Sequence, residues 1–554
     1  MKAQYLIKTF ENERLFQILK YDLLYEIDLE NKLFKSEQKI LVKNNSNESI
    51  AEIEAILYEY LVISSIIIKD FATDKTLNHK YITTQFEDQF IRCEGLEGIK
   101  YQLIKIYLEE SIKPNQAFII HMNFQMSAGE IKKSEPKYMW SFVVNPLICY
   151  AVEPCSGHYL RVLYGEPSAP FDLTIKYPEG NYSCVPGLLK STKKENGFII
   201  DHYRSKTPNI PAFSVAPYQK FSKSRNGLGI DFYIYPGLSF DKDLFNSLFH
   251  IIQLFYEYFG DNGTKTYKFA TVGAFDSTMG GSENKGNAIY FDIKFLNESY
   301  MVGICAHEIF HNWNLFYVYF SGDLFEWFAE GGANFIVTWA MEKISNVNVG
   351  AHTRKFFING YIEGEGFNTE RSLLNIDKIG GKKDSFVLIY YYGALVWEQL
   401  RQKIGDNAFF TGLRQFFRDY GYKNVTYQEL FSCLEKETPI NVKEYLEPWI
   451  NQVPKIDLSI ASVDYEETRD KFATEIRIKI KSEKNLELIT DVGYRTSLEG
   501  EMFIKPVTFT KKGEQTVRFE SAQRPVFVQI DPFYRVPQVN LENCTWINNG
   551  KWED

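Results

Sequence analysis

The hydrophobic residues of this chain change period twice. From Tyr21 to about residue 210 they alternate, as in YDLLYEIDLE (21–30), QKILVKN (38–44), YQLIKIYLEE (101–110) and QAFIIHMNFQM (116–126). Neighbouring side chains of a strand point to opposite faces, so this alternation implies antiparallel sheets with one buried face. After PAFSVAPY (211–218) the spacing becomes helical. FDKDLFNSLFHIIQLFYEYFG (240–260) has apolar residues three and four apart and ends on Gly260, a natural helix terminator. Further helices are expected over 300–314, 324–342, 386–404 and 406–420, and within 426–452, with strands near KFATVGAFD and NAIYFDI. Beyond Pro454, five short alternating runs return: ATEIRIKIKS, LELITDVGY, KPVTFTKK, QTVRFES and PVFVQIDP. The expectation is a multidomain α+β protein, with an N-terminal β-rich domain (1–210), a mostly helical domain (211–452) and a small C-terminal β-sandwich (453–554).

Composition narrows the function. A chain of 554 residues exceeds what one hydrophobic core organises. The net charge of −9, with no basic block, argues against a nucleic-acid partner. Seven cysteines without a CxxC pair argue against a disulfide framework and for a reducing compartment. The N-terminus, MKAQYLIKTFENERLF, lacks the apolar core of a signal peptide. The most apolar run, YLVISSIII (60–68), is about half the length that crosses a bilayer and reads as a buried strand. A soluble, cytoplasmic protein without a membrane partner is expected.

Residues 305–314 read CAHEIFHNWN. Four residues apart on a helix, His307 and His311 share one face and can hold one Zn²⁺, with Glu308 beside them to act on a water. Tetrahedral catalytic zinc takes three protein ligands and keeps one position open. In GDLFEWFAEGGANF, Glu330 follows His311 after 18 intervening residues, a spacing that lets a second helix return a carboxylate to the same ion. Glu326, one turn earlier, is a competitor whose spacing fits less well, and it reads as a neighbour of the site or a solvent-facing charge. Zinc lowers the pKa of water to about 7, and Glu308 would take its proton as the water attacks a carbonyl.

These residues resemble the gluzincin aminopeptidases of the aminopeptidase N and leukotriene-A hydrolase family, whose signature is HExxH, eighteen residues and Glu. GGSEN (280–284) is similar to that family's GxMEN exopeptidase motif, with Ser282 in place of Met. YYYGALVWEQL is similar to its YxxG motif, and WFAEGGANF stands where it has Trp, two residues and Glu-Gly. The resemblance implies a thermolysin-like catalytic domain at 211–452, one zinc ion per chain, and peptide substrates with a free N-terminus. It makes Glu308 and Tyr390 the catalytic pair, with Tyr390 donating to the oxyanion; Tyr391 and Tyr392 compete for that role. It makes Glu283 the anchor for the substrate amine, with Gly280, Gly281 and Asn284 along the bound backbone.

The sequence also departs from that pattern. HNWN (311–314) is closer to the HxWN of the glycyl aminopeptidase family. The family's second amine-binding acid, from a TQxE-type stretch, has no clear counterpart: TTQFED (83–88) lies too early, and Glu153 in CYAVEPC is the acidic candidate. Ser282 should reshape the pocket for the first side chain. The chain ends soon after the expected sandwich, so a cleft without a helical lid is expected, unless a partner or a second copy in a homo-oligomer covers it. Three readings follow: a zinc aminopeptidase; a specialised peptide-processing or epoxide-hydrolase-like zinc hydrolase; and a silent protein that captures peptides.

Overall fold

Alternating burial organises the N-terminal strands. The computed structural model describes residues 15–58, 60–87, 100–127, 143–144, 148–151, 161–162, 168–272, 282–292, 301–367, 371–376, 386–483 and 486–548. Strand β1 (Phe16–Asp28) buries Tyr21, Leu23, Tyr25 and Ile27 while Asp22 faces solvent. It pairs antiparallel with β2 (Leu33–Asn44; Tyr21 opposite Ile40) and parallel with β3 (Ala169–Pro178; Tyr21 opposite Phe171). The parallel pairing departs from the expected antiparallel sheets, and the long excursion between β1 and β3 is what permits it. These strands occupy the middle of an eight-stranded sheet. Its core includes Phe34, Ile40, Val42, Phe118, Ile120, Phe171, Leu173 and Phe213. Tyr25 lies between Phe34 (5.1 Å) and Phe213 (5.3 Å). Each such side chain contributes about 1.5–3 kcal/mol on burial.

Two hairpins turn on Asn-Gly pairs: Asn196–Gly197 joins 188–195 to 198–209, and Asn226–Gly227 joins 219–225 to β4 (Leu228–Ile234). All four turn residues have positive φ, the conformation two-residue hairpin loops demand. A five-stranded sheet contains β4, then β5 (Thr266–Val272), β6 (Ser282–Lys285) and β7 (Ala288–Asp292). The pairs β4–β5 and β5–β7 are parallel; β6 is antiparallel to β7 and forms one edge.

The chain divides into two compact units, Met1–Asn246 with Gly263–Val302, and Ser247–Asn262 with Gly303–Asp554. The second unit is built around helices. Helix α1 (Leu244–Phe259) stops at Gly260, whose φ of +87° no side chain tolerates well. Its Phe255 and Phe259 pack on Phe310 and Trp313 of α2 (Met301–Asn314) and on Trp339 of α3 (Gly332–Ile344). The Trp313 indole donates to Gly260 O at 3.0 Å. After α3 come α4 (Val347–Glu363), α5 (Gly393–Ile404), α6 (Asp406–Tyr420), α7 (Tyr427–Glu435) and α8 (Val442–Ile450). Helix α4 is absent from the sequence expectations. Its buried positions include Gly350, Ala351 and Arg354, which do not read as an apolar stripe, although the Asn346 side chain caps it properly. The run 426–452 is two helices, each with its own cap, Thr426 and Asn441.

Among the described residues, seven strands between Asp457 and Ile547 form a three-stranded and a four-stranded sheet, where five strands were expected; 457–468 and 545–547 are the additions. Tyr494 of one sheet stacks on Phe519 of the other at 3.7 Å. A buried ionic network ties these sheets to the helices. Arg354 pairs with Glu342 (2.6 Å); Arg401 with Glu342 and Glu398 (3.2 Å each); Arg535 with Glu398 (3.2 Å) and with Asp491. Arg354 Nε also donates to Phe533 O (2.8 Å), and Gln399 Nε2 to Ile489 O (2.9 Å) and Arg535 O (3.1 Å). Buried charges persist only when paired in this way. The multidomain α+β architecture, β-rich at both ends and helical between, is as expected. Among the described residues, no helix is long and apolar enough to cross a membrane.

Candidate metal centre

Three side chains from two neighbouring segments converge. Helix α2 presents His307 and His311 one turn apart, with their ring centroids 4.7 Å from each other. Glu330 lies on Trp327–Gly331, a π-helical turn leading into α3, where the Gly332 N–H reaches back five residues to Trp327 O. The expected helix over 324–342 thus begins with a widened turn, a departure common at functional sites. Glu330 Oε2 is 3.1 Å from His307 Nε2 and 3.5 Å from His311 Nε2, and the two Nε2 atoms are 3.1 Å apart. Among the described residues, these three form the one His, Cys, Asp or Glu group whose ligand atoms lie close enough to share a metal ion. Glu326 is not in that group and is half-buried.

The far side of each imidazole explains the arrangement. His307 Nδ1 lies 2.8 Å from Asn334 Oδ1, and His311 Nδ1 lies 3.1 Å from Asn314 Oδ1. The amide orientations follow from their other contacts. Asn334 Nδ2 donates to Tyr390 O (2.8 Å), while Asn314 Nδ2 donates to Phe328 O (3.0 Å) and Ala329 O (2.8 Å). A backbone carbonyl only accepts, so the remaining amide atom is oxygen, and each histidine carries its proton on Nδ1. Both Nε2 atoms therefore converge on the Glu330 carboxylate, an arrangement that needs a positive charge among them, supplied either by a second proton on His311 or by a metal ion. A cation relieves that convergence of acceptors, and two nitrogens plus a carboxylate is a donor set that zinc accepts.

The electrostatics run the same way. Burial alone would lower the His311 pKa; the Glu330 carboxylate beside it overrides this and pushes it up to about 9. Burial likewise works against ionised Glu330, yet the His311 and His307 imidazoles hold its carboxyl well below the usual range. Glu308 is buried on α2 next to His307, and its charge helps to raise His311.

Tyr390 rides a second π-helical turn, Val387–Tyr392, which leads into α5. Its ring lies against that of His307 (centroids 6.1 Å, planes at 16°). Its neighbours are otherwise engaged: the Tyr392 hydroxyl donates to Trp449 O at 2.8 Å, and the Tyr391 ring stacks on Phe357 at 5.5 Å. Glu283 and Asn284 lie on edge strand β6, opposite Tyr290 and Ile289 of β7, in the first unit. Gly280, Gly281 and Glu153 fall outside the described residues. Sequence reasoning missed Asn314 and Asn334. The available signal was an amide one helical turn beyond a ligand, at three residues from His311 and four from Glu330.

Two imidazoles and a carboxylate on neighbouring helical segments are a donor set of the kind that gluzincin metallopeptidases use. Residues 245–449 match the Peptidase family M1 domain, in line with the resemblance to the aminopeptidase N family. Aminopeptidase N of Lactococcus lactis subsp. lactis is 23% identical over 313 residues, covering 52% of this chain and 36% of that protein. Human endoplasmic reticulum aminopeptidase 1 is 24% identical over 346 residues, covering 57% of this chain and 35% of that protein. The chain thus spans about a third of the length of these relatives. A crystal structure of an M1 zinc metallopeptidase from Deinococcus radiodurans superposes with a TM-score of 0.61 at 14% identity, over 80% of this chain and 95% of that one, which shows a shared fold.

Proposed function

We propose that this chain is a zinc-dependent aminopeptidase that removes N-terminal residues from peptides in the cytoplasm, with one zinc ion per chain. One observation carries the reading: two imidazoles and a carboxylate converge beside a buried glutamate, with an amide oxygen behind each imidazole. His307, His311 and Glu330 would hold the zinc. A bound zinc ion supplies a more acidic water and polarises the scissile carbonyl. Glu308 would take a proton from the attacking water and later deliver it to the leaving amine. Tyr390, lying against His307, donates to the oxyanion. For Glu283 as amine anchor, with Asn284, Gly280 and Gly281 beside it and Glu153 as second acid, the support is the motif resemblance and, for Glu283, an edge-strand position suited to pairing with an extended peptide. The five described cysteines are all free and buried, which agrees with a reducing compartment. The segments 1–210, 211–452 and 453–554 are the functional division we propose.

A panel of aminoacyl reporter substrates, assayed with and without chelator and with N-acetylated controls, tests this reading. Glu308→Gln should keep stoichiometric zinc and lose on the order of 10³-fold or more in kcat. Zinc bound one per chain without hydrolysis of any peptide would replace the aminopeptidase with a silent binder. Cleavage of acetylated substrates at full rate would remove Glu283 from its role.

A further inference from the structure

Gly331 ends the first of the two π-helical turns and Gly393 directly follows the second, and neither needs to be glycine for its own backbone. Their φ values are −60° and −56°, ordinary helical angles, where glycine costs about 1 kcal/mol relative to alanine. What distinguishes them is proximity. A Cβ on Gly331 would lie 3.0 Å from Ile389 O and 3.3 Å from Gly393 C; a Cβ on Gly393 would lie 3.2 Å from the Trp327 indole Cδ1, 3.3 Å from Leu388 O and 3.5 Å from Gly331 Cα. The turn that carries Glu330 therefore meets the turn that carries Tyr390 backbone against backbone. Gly332, one residue further on, sits in no such pinch: its nearest outside atoms would be 3.6 Å away.

Two indoles lock the crossing. Trp327 Nε1 donates to Gly393 O at 3.1 Å, and Trp397 Nε1 donates to Trp327 O at 3.1 Å, with the two indoles stacked at 4.4 Å. Asn334 adds a third tie, to Tyr390 O. The Gly393 N–H also closes the π-helical turn on Leu388 O, so a displaced Gly393 drags that turn with it.

We propose that Gly331 and Gly393 are positioning residues: their side-chain-free crossing sets the distance between the Glu330 carboxylate and the Tyr390 phenol. The inference rests on the proposed roles of those two groups. A methyl group at Gly331 meets the backbone of the facing turn, which cannot rotate aside, and one at Gly393 meets the buried Trp327 indole and the Leu388 carbonyl of its own turn, so at each position the neighbours must shift by a few tenths of an ångström.

The test compares Gly331→Ala, Gly393→Ala and the neighbouring control Gly332→Ala in the full chain. The first readout is zinc affinity by competition with a chromophoric chelator. Gly331→Ala should weaken it by about tenfold, through displaced Glu330, and Gly332→Ala by no more than about twofold. The second readout is kcat and KM on an aminoacyl substrate. Gly393→Ala should retain zinc and KM while kcat falls by about ten- to a hundredfold. The third is a double-mutant cycle: Tyr390→Phe should cost much less in the Gly393→Ala background than alone. Trp327→Phe, which removes the tie to Gly393 O without adding bulk, should lower kcat in the same direction and covers the case of a misfolded alanine variant. Additive effects of Gly393→Ala and Tyr390→Phe would overturn the inference, as would Gly331→Ala and Gly332→Ala binding zinc alike. A wild-type protein that binds zinc yet hydrolyses nothing defeats the proposed function instead, and the zinc-affinity comparison still decides the role of Gly331.

Discussion

Replacing Asn334 by Asp changes one group, an NH₂ for an oxygen, and the two contacts of that side chain respond in opposite directions. The contact with His307 Nδ1 (2.8 Å) survives, since a carboxylate accepts at least as well as an amide oxygen. A carboxylate behind a metal-ligating imidazole raises its basicity, so zinc affinity should hold or increase. The contact with Tyr390 O (2.8 Å) reverses, because an acceptor now faces an acceptor. Losing that hydrogen bond and leaving the carbonyl without its donor costs about 1–3 kcal/mol. If half of the upper figure reaches the placement of the Tyr390 phenol, about 1.5 kcal/mol, kcat falls by slightly more than tenfold. Three assays on one preparation separate these terms: chelator competition for zinc, urea unfolding of the metal-free protein, and kcat on an aminoacyl substrate. The expected pattern is zinc affinity equal or higher, stability lower by about 1–3 kcal/mol, and kcat lower by about tenfold. A variant that loses zinc affinity while keeping wild-type stability and kcat would refute the reasoning.

Two further perturbations address the scaffold. Asp172 is held by Arg204 and Lys20 against the opposing effect of burial, which takes its pKa from 3.8 to about 2. A carboxylate lowered on folding adds stability that is fully present above the unfolded value and lost as pH falls through the folded one. Asp172→Asn should therefore flatten the fall in stability between pH 3.8 and about 2, measured by urea unfolding, and an unchanged slope would exclude this group. Arg354→Met leaves Glu342 short of a buried partner 2.6 Å away and should destabilise the protein by about 3–5 kcal/mol; a loss under about 1 kcal/mol would mean that Arg401 alone neutralises the pocket.

The clustering of His307, His311 and Glu330 could be read from the sequence because helix geometry acts over short distances. His307 and His311 share a face whatever surrounds them, and the GDLFEWFAEGG stretch supplies one well-spaced carboxylate, Glu330. The strand alternation of β1 was equally open to reading, since Tyr21, Leu23, Tyr25 and Ile27 are buried in turn. The π-helical turns were not. Widening a turn by one residue depends on what packs against it, here Gly331 against Ile389 O and Asn314 against two carbonyls of the same turn. Helix α4 escaped for a related reason: its inward face holds Arg354, whose burial makes sense only with Glu342 of α3 beside it. The surroundings of Tyr391 and Tyr392 needed the fold, because the partners that engage them, Phe357 and Trp449, are remote in sequence.

The charged network between the helices and the last two sheets has a practical consequence. Cutting the chain near Pro454 would strip Arg354 of Phe533 O, Gln399 of Ile489 O and Arg535 O, and Glu398 of one of its two cations. A fragment trimmed to the helical segment would have to open a dry, ionised seam to water, so anyone making a minimal version of this protein should keep the C-terminal strands attached.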